Sequence, residues 1–406
     1  MQSNIKGIKA APRALPRGPV LDWSSFRRED VPNVRSVEAL PYTVFTTSGR
    51  AAIYQALLQL KLPVGSSVLV PTYHCPTMVA PVLLAHLEVT YFGLLPNGLP
   101  HLDAIDPAIA QKCKAMLVPH YFGLAQSLKK VRQWCDEHGI ALIEDCAHCY
   151  FGEAGERAVG AWGDFATASL SKFFPVPEAG LLASAHRPIA PLQLEKPTLK
   201  AQLKGWLDVM ELATHYQRLR GLSSLLTPLF RFKNLRVQPR SAQETTTEPI
   251  AGAMMRDCDM SRIRQTPLSA AMALKATLPR GRIIARRQQN FASYAAYFAD
   301  VPGARPLFPQ TAHSMSSAAP YVFPLWVDDP EEIYQSLRTL KLPVFRWDRI
   351  WPGTPALPQD VGPLWSHHVL QLLCHQDLSA ADIDRTASML VHLLQIQQAT
   401  SRISAA

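Results

Sequence analysis

The sequence predicts an α/β protein whose mostly parallel sheet is sandwiched by helices, followed by a smaller C-terminal α+β domain. Between residues 43 and 184, short β-branched runs alternate with amphipathic stretches of helix length, a pattern typical of parallel strands joined by helical crossovers. The chain has 406 residues, more than one hydrophobic core usually supports, so we expect a second, smaller unit. With 48% hydrophobic and 18% charged residues, the composition is that of a globular protein.

Five runs in the first half predict strands because they are short, apolar and bounded by turn residues. These strands are expected at residues 43–47, 67–71, 87–92, 115–119 and 140–144. Apolar residues at helical spacing predict helices at residues 50–61 and 126–138, with Gly139 where a helix would stop. In the second half, strands are expected at residues 321–327 and 344–347 and helices at residues 269–298, 330–340 and 379–394.

Changes in composition along the chain predict an N-terminal segment of residues 1–40, a large domain of residues 41–298 and a small domain of residues 299–406. Residues 188–250 are rich in Lys, Arg, Leu and Pro and fit no strand, which indicates a basic helical insertion. We expect its apolar face to pack on the large domain; the alternative is a peripheral contact with a membrane or a carrier. The residues of that face are Leu203, Trp206, Leu207, Met210 and Leu219.

Charge and cysteine content narrow the function classes. The net charge is +9, but Lys and Arg are spread along the chain, so we expect an anionic substrate, cofactor or membrane surface rather than nucleic acid. No run resembles a signal peptide or could span a bilayer, which predicts a cytoplasmic protein.

Seven cysteines without a dense pattern indicate reduced thiols. The Cys146/Cys149 pair lacks a second ligand pair, so no metal site is expected.

Four segments would each lie at the carboxyl end of a strand, where open α/β sheets bind their ligands. The first is TTSGR at residues 46–50, where Ser48, Gly49 and Arg50 open a helix whose free N–H groups attract a phosphate. A plain N-cap by Ser48 is the alternative. The second is EDCAH at residues 144–148, where a buried Asp145 would need a cationic partner. The alternative is a turn-capping acid beside a core histidine, His148.

The third segment is TASLSK at residues 167–172. A lysine just past hydroxyl residues can form a Schiff base while hydroxyls such as those of Thr167 and Ser169 bind a phosphate. Apolar residues follow Lys172 and favour its neutral amine; the alternative is a solvated surface lysine. The fourth segment is PTYHCP at residues 71–76, whose Tyr73 or His74 could stack on a flat ligand or lie on a loop surface.

Taken in order, these segments resemble the DegT/DnrJ/StrS aminotransferases, a family with the fold type I architecture of pyridoxal-phosphate enzymes. The strand-end motifs VPHYFG at residues 118–123 and IEDCAH at residues 143–148 look like those of the family. RRQQNF at residues 286–291 is similar to its RR-x-N helix, and LCHQDL at residues 373–378 to its closing segment. The resemblance runs from about residue 44 to residue 184 and returns from residue 255 to the C-terminus.

The resemblance implies that the chain binds pyridoxal 5'-phosphate. Lys172 would form the Schiff base and move protons, and Asp145 would pair with the pyridine nitrogen. The phosphate would be held at the start of the first helix and by hydroxyl groups, and other side chains would contact the ring. These remaining cofactor contacts are expected from Ser48, Gly49, Arg50, Thr167 and Ser169 for the phosphate, His148 for the ring hydroxyl, and Tyr73 or His74 for the ring face.

The resemblance also implies a ping-pong transfer of an amino group from glutamate or glutamine to a keto or aldehyde acceptor, a nucleotide-linked keto sugar, in a homodimer. One alternative is dehydration or other carbanion chemistry on a deoxysugar, but family dehydratases replace the lysine by histidine, so Lys172 argues against it. Another is a non-catalytic binding module of a polysaccharide pathway. A degenerate scaffold would be expected to lose Asp145 or Lys172, and both are present.

Overall fold

The computed structural model describes residues 14–27, 34–235, 250–308 and 318–405. The strands, in chain order, are β1 (Tyr42–Thr46), β2 (Ser67–Pro71), β3 (Glu88–Phe92), β4 (Cys113–Pro119), β5 (Ala141–Asp145), β6 (Glu153–Ala154), β7 (Arg157–Ala158), β8 (Phe165–Ser169), β9 (Gly180–Ser184), β10 (Ala304–Pro306), β11 (Val322–Val327), β12 (Val344–Phe345) and β13 (Val369–Leu373). The α-helices are α1 (Gly49–Leu60), α2 (Pro76–Leu84), α3 (Pro107–Lys112), α4 (Lys129–Glu137), α5 (Leu199–His215), α6 (Leu222–Leu235), α7 (Ile250–Asp257), α8 (Ser269–Thr277), α9 (Arg280–Tyr297), α10 (Glu331–Thr339), α11 (Gly362–His368) and α12 (Ala380–Ala405).

The larger sheet has the strand order β1-β9-β8-β5-β4-β2-β3. Strands β8, β5, β4, β2 and β3 run parallel to one another, while β9 is antiparallel to both of its neighbours, β8 and β1. Because β9 reverses direction between them, β1 points the same way as the parallel strands. The carboxyl ends of β1, β2, β4, β5 and β8 therefore lie along one edge of the sheet.

Both faces of the larger sheet are covered by apolar side chains. In β4, Met116 and Val118 belong to one buried cluster, whereas Ala115 and Leu117 belong to another. Successive side chains of a strand point to opposite faces, so β4 is buried on both sides, as is typical of a parallel sheet between two layers of helices. The predicted α/β class with its mostly parallel sheet is confirmed.

The boundaries of several predicted elements need correction. The five strands expected in the first half form as β1 to β5, but the helix expected from residue 126 begins only at Lys129. The single helix predicted over residues 269–298 is wrong, because α8 and α9 are separated at Leu278 and Pro279. Leu278 is extended, with φ −82° and ψ 136°, since proline disfavours a helical conformation of the preceding residue. The strand expected over residues 344–347 ends at Phe345, and α12 continues beyond the predicted residue 394 to Ala405.

The smaller sheet is antiparallel, with the order β10-β11-β13-β12. A backbone hydrogen bond joins the residue before β11 to the segment that follows β4 of the larger sheet: the N–H of Tyr321 donates to the carbonyl of Phe122 at 2.8 Å. Gly123 permits this approach, because its φ is +86° and an added Cβ atom would lie 2.3 Å from the nitrogen of Tyr321. The division of the chain at residues 40 and 298 stays a prediction.

Helices α5 and α6 form within the predicted insertion, of which residues 236–249 lie outside the described residues. The predicted buried face is wrong for Leu203, Trp206 and Leu207, which are 58%, 40% and 46% exposed. The buried residues of the helix are smaller ones, which allow a close approach to the core. These buried residues are Gly205, Val209, Ala213 and Thr214. Among the described helices, none combines the length and apolar character needed to cross a bilayer.

Gly180 brings β9 close to the start of α1. It is the first residue of β9 and pairs with Thr46 of β1 and with Ser169 of β8. A Cβ atom added to Gly180 would lie 2.1 Å from the backbone oxygen of Ser48, the residue that caps α1. Glycine is therefore required where these strand ends meet the helix start.

We expect Gly180→Ala to lower the free energy of unfolding by about 1–3 kcal/mol, because the added methyl group must displace backbone atoms. Urea unfolding followed by circular dichroism measures the change. Gly18→Ala is the matched control, because a Cβ atom added there has no neighbour within 4 Å. A loss for Gly180→Ala no larger than that for Gly18→Ala would contradict this packing.

Candidate active site

A cavity of about 490 Å³ opens at the carboxyl edge of the larger sheet. We call it the central cavity. Residues that follow strands of the larger sheet form one part of its wall, and residues of the C-terminal part of the chain form another. The larger-sheet part includes Ser48, Gly49, Arg50, Cys75, His120, Asp145, His148, Ser169, Ser171 and Lys172, and the C-terminal part comprises Tyr321, Phe345, Trp347 and Gln371.

The N-terminus of α1 lies at the central cavity. The hydroxyl of Ser48 accepts a hydrogen bond from the N–H of Ala51 at 3.2 Å, so the predicted N-cap forms. Gly49 packs closely on the end of β8, since an added Cβ atom would lie 3.3 Å from the Cβ of Ser169. The first N–H groups of a helix lack intrahelical partners, so this helix start offers donors and partial positive charge to an anion.

Asp145 is the last residue of β5, and its buried carboxylate lines the central cavity. Its Oδ1 accepts hydrogen bonds from the N–H of Ala147 at 2.9 Å and from the hydroxyl of Thr167 at 3.4 Å. Burial raises the pKa of Asp145 above its ordinary value, and the charge of Lys172 opposes this shift. Among the described residues no Lys, Arg or His forms an ion pair with Asp145. The carboxylate therefore suits a cationic ligand.

Lys172 ends a short 3-10 helix, Leu170–Lys172, that follows β8. Its Nζ lies 5.1 Å from the centroid of the Tyr321 ring. Burial lowers the pKa of Lys172 below its usual value, although the nearby Asp145 opposes the shift. No described carboxylate comes within 4.0 Å of this amine to pair with it. A larger fraction of Lys172 is therefore neutral and nucleophilic at a given pH than for a solvated lysine.

Aromatic side chains form a wall of the central cavity, and one of them, Tyr321, lies next to the amine of Lys172. The ring of His148 stacks on Tyr321, with centroids 4.4 Å apart, and lies 5.0 Å from the ring of Trp347. Burial and the charge of Lys172 lower the pKa of His148 well below its usual value, so its imidazole is neutral at neutral pH. This wall is flat, apolar and suited to a planar ligand.

Tyr73 and His74 do not line the central cavity, contrary to the expected ring contact. Tyr73 is fully buried, and its hydroxyl accepts a hydrogen bond from Nε2 of Gln371 at 3.1 Å. Both ring nitrogens of His74 are engaged, with the carbonyl of Pro71 at 2.8 Å and the N–H of Trp351 at 3.0 Å. Burial lowers the pKa of His74 to about 4. Both side chains point into packed interior, and Cys75 reaches the cavity instead.

Thr167 is also absent from the wall of the central cavity. It lies within β8, two residues before the strand ends, and its hydroxyl is used to donate to Asp145. It therefore supports the carboxylate rather than offering its proton to a phosphate. Ser169 and Ser171 line the cavity, so their hydroxyls lie where the sequence predicts phosphate contacts from the TASLSK segment. Ser171 belongs to the TASLSK segment but was not among the predicted contacts.

His120 and the C-terminal residues of the wall were missed by the sequence reasoning. The VPHYFG motif at the end of β4 was a usable signal for His120, whose Nε2 lies 3.5 Å from Oε1 of the buried Glu144. With Cys146 these two residues bring three ligand-type atoms within 4.8 Å of one another. Burial raises the pKa of Cys146 well above its usual value, so its thiol is protonated and is a poor metal ligand. The seven cysteines are free thiols.

Arg287, on α9, holds together the chain segments that form the site. Its fully buried guanidinium donates to the carbonyl of Lys172 at 2.6 Å, to the carbonyl of Pro320 at 3.1 Å and to Oε1 of Gln376 at 3.0 Å. Gln376 in turn donates to the carbonyl of Phe173 at 2.8 Å. One side chain therefore fixes the backbone at the candidate nucleophile, the residue before Tyr321, and the closing segment at residues 373–378.

We expect Arg287→Met to lower the free energy of unfolding by about 3 kcal/mol or more, because three buried acceptors lose their donor at once. Thermal and urea unfolding measure the loss. Arg286→Met is the matched control on the same helix, and since Arg286 is only partly buried we expect a change of less than about 1 kcal/mol. Equal losses for the two variants would contradict the role assigned to Arg287.

Known proteins resemble this chain in sequence over part of its length and in fold over most of it. Residues 37–187 match the sequence model of the DegT/DnrJ/EryC1/StrS aminotransferase family. A curated relative, the GDP-perosamine synthase of Vibrio cholerae, is 27% identical over 169 residues, which are 40% of this chain and 46% of that protein. The chain thus spans about half the length, or less, of such curated relatives.

Solved structures share the fold along most of the chain. An aminotransferase of the same family from Brucella abortus has a TM-score of 0.58 at 16% identity, covering 87% of this chain and 86% of that one. A Bacillus subtilis protein, ntda, solved with bound cofactor PMP, has a TM-score of 0.56 at 17% identity, covering 88% and 74%. The expected fold type I architecture is confirmed. Residues 37–187 of the chain are therefore similar in sequence to the DegT/DnrJ/EryC1/StrS aminotransferase family.

Proposed function

We propose that the central cavity binds pyridoxal 5'-phosphate and that the protein is an aminotransferase. One observation carries this proposal: the amine of Lys172 and the carboxylate of Asp145 line the same cavity, and neither has an ion-pair partner among the described residues. Burying an amine and an acid that are not paired costs desolvation free energy, unless a ligand binds both groups. The family match and the PMP-bound fold neighbour support the same cofactor.

The residues present fit this cofactor. The start of α1 provides N–H donors for a phosphate. Gly49 packs closely on Ser169 and has no side chain that could block these donors. The hydroxyls of Ser169 and Ser171 lie on the same wall. Asp145 would pair with a protonated ring nitrogen, and Lys172 would bond to the aldehyde carbon. His148 would contact the ring hydroxyl.

When bound, pyridoxal phosphate supplies an aldehyde carbon that condenses with amines and a pyridinium ring that draws electrons from the substrate's α-carbon. Lys172 contributes a neutral amine, because burial lowers its pKa. With the cofactor bound, the Nζ of Lys172 would be the base that takes the α-proton of the amino donor and holds it. The same atom would then give up a proton, so one group would act as base and acid.

Asp145 and the aromatic wall set the conditions for this proton transfer. The ionised carboxylate of Asp145 stabilises a positive charge beside it, which keeps a ring nitrogen protonated. Thr167 orients that carboxylate through its hydroxyl. The Tyr321 ring lies beside the amine, and Trp347 belongs to the same cavity wall, so these rings would limit the access of water to the amine.

We infer that the amino donor is glutamate or glutamine and that the acceptor is a keto or aldehyde compound, a nucleotide-linked keto sugar. The Vibrio cholerae relative is named for a GDP-linked sugar, which supports this substrate class. In this chain Gln371 belongs to the wall of the central cavity with Phe345 and Trp347, and its buried Oε1 has no hydrogen-bond partner among the described residues. An acceptor oxygen without a partner near the cavity matches the hydroxyl groups of a sugar.

The other functions considered from the sequence gain no support. Dehydration on a deoxysugar would favour a histidine where Lys172 lies, and a non-catalytic module has no need of Lys172 and Asp145 in one cavity. The homodimer and the peripheral contact of the insertion stay proposals.

We expect Lys172→Ala to abolish the yellow absorbance of the cofactor-bound protein, because the side chain that forms the covalent bond is gone. Spectra before and after borohydride reduction measure the bond. Lys200→Ala, a change at an exposed lysine of α5, should leave the spectrum unchanged. A reducible covalent adduct that persists in Lys172→Ala would refute the assignment.

Nitrogen transfer tests the reaction itself. Isotope-labelled nitrogen from glutamate or glutamine should appear in the product when the protein is supplied with a panel of nucleotide-linked keto sugars and other carbonyl compounds. Lys172→Ala should slow this transfer by about a hundredfold or more, because the proton-transfer group is lost. The proposal fails if the product has lost a hydroxyl group and carries no labelled nitrogen. Mass spectrometry of the product distinguishes the two results.

A further inference from the structure

A second cleft, of about 770 Å³, lies away from the central cavity and shares no residue with it. Its wall is formed by the N-terminal segment around Trp23, the turn between α5 and α6, and the first turn of α12. We call it the arginine cleft, because Arg218, Arg220 and Arg385 line it. Nothing in the proposed transamination uses these residues, so the cleft needs its own explanation.

The arginine cleft carries an excess of positive charge. In the described part of the chain, none of its three arginines forms an ion pair with a carboxylate. Two acids, Asp22 and Asp382, line the same cleft, so its three arginines leave a net charge of +1. The carboxylate of Asp22 accepts from two backbone N–H groups and lies 3.6 Å from the guanidinium of Arg282. That of Asp382 accepts hydrogen bonds from the N–H and hydroxyl of Ser379 at 2.9 and 2.8 Å.

A buried hydroxyl without a partner lines the arginine cleft. Ser223, in the first turn of the 14-residue helix α6, is only 2% exposed. Its Oγ has no hydrogen-bond partner among the residues that the structure describes. An unsatisfied buried hydroxyl costs free energy unless a ligand completes it. Its position at a helix start beside free guanidinium groups indicates an anionic ligand.

We propose that the arginine cleft binds a phosphate or diphosphate group. Arg218 and Arg385 would provide charge-assisted donors, and Ser223 and the start of α6 would complete the coordination of the oxygens. Trp23 lines the cleft with its ring 52% exposed, and its Nε1 donates to the carbonyl of Arg220 at 3.2 Å, which fixes the ring. The ring offers a flat apolar surface to whatever group carries the phosphate.

Pyrophosphate is the probe for a free phosphate ligand. Isothermal titration with the full chain, kept in excess pyridoxal phosphate so that the start of α1 is occupied, should show one binding site. The double variant Arg218→Gln/Arg385→Gln should bind at least about tenfold more weakly, because two charged donors are removed. Arg338→Gln, an exposed arginine on α10, is the matched control and should bind as the parent does.

Ser223→Ala separates a ligand contact from a structural role. Removing a buried hydroxyl that has no partner among the described residues should leave the thermal midpoint of the free protein unchanged or raise it, yet weaken pyrophosphate binding by roughly fivefold. A lower midpoint with unchanged affinity would overturn the proposal. So would binding that survives the double arginine variant and is lost in Arg50→Gln, because the anion would then occupy the start of α1. These results do not depend on whether the protein is an aminotransferase.

Vesicles distinguish a lipid phosphate from a free one. Flotation with phosphatidylcholine vesicles, with and without phosphatidylglycerol, should show no retention if the ligand is a free phosphate compound. Retention on anionic vesicles that is lost in Arg218→Gln/Arg385→Gln assigns the same cleft to a lipid headgroup. If neither pyrophosphate nor anionic vesicles bind in a way that depends on these arginines, the proposal is wrong.

Discussion

The buried guanidinium of Arg287 is the constraint on which the candidate site depends. Three parts of the chain, far apart in sequence, supply the oxygens that it binds: Lys172, Pro320 and Gln376. Burial lowers its pKa to about 10, so the group remains charged at neutral pH and needs all three acceptors. The position of the candidate nucleophile is thereby coupled to the packing of α9 and to the C-terminal wall of the cavity.

The larger sheet supplies the other half of the site. Its reversed strand β9 lets β1 end beside the parallel strands, so the start of α1 meets Asp145 and Lys172 at one edge. Gly180 and Gly123 permit two close backbone approaches, one at the start of α1 and one at Tyr321. Desolvation then shifts both groups toward their neutral forms, raising the pKa of Asp145 and lowering that of Lys172. A ligand that binds the carboxylate of Asp145 and the amine of Lys172 together offsets the desolvation free energy of both groups.

The sequence predicted the parts of the site that follow β-strands better than the parts that come from elsewhere. Periodicity and strand-end position identified Ser48, Asp145 and Lys172, because a parallel sheet brings such ends together. Tyr73 and His74 were misplaced, since a strand-end position does not say whether a side chain turns to the cavity or to the core. Tyr321, Trp347 and Gln371 could not be assigned to the site from the sequence. They lie in or next to strands of the smaller antiparallel sheet, and only the packing of that sheet brings them to the cavity. The exposed Leu203 shows the same limit. Helical spacing identifies a row of apolar residues on a helix but does not show which surface, if any, packs against it.

The central claim is that one planar cofactor lies between Lys172 and Asp145. A crystal structure of the protein grown with pyridoxal phosphate tests it most directly. The account predicts density continuous with Nζ of Lys172, a ring nitrogen within hydrogen-bond distance of the Asp145 carboxylate, and a phosphate at the N–H groups of Gly49 and Arg50. A phosphate found only beside Arg218 and Arg385, with the central cavity free of the ring, would contradict it.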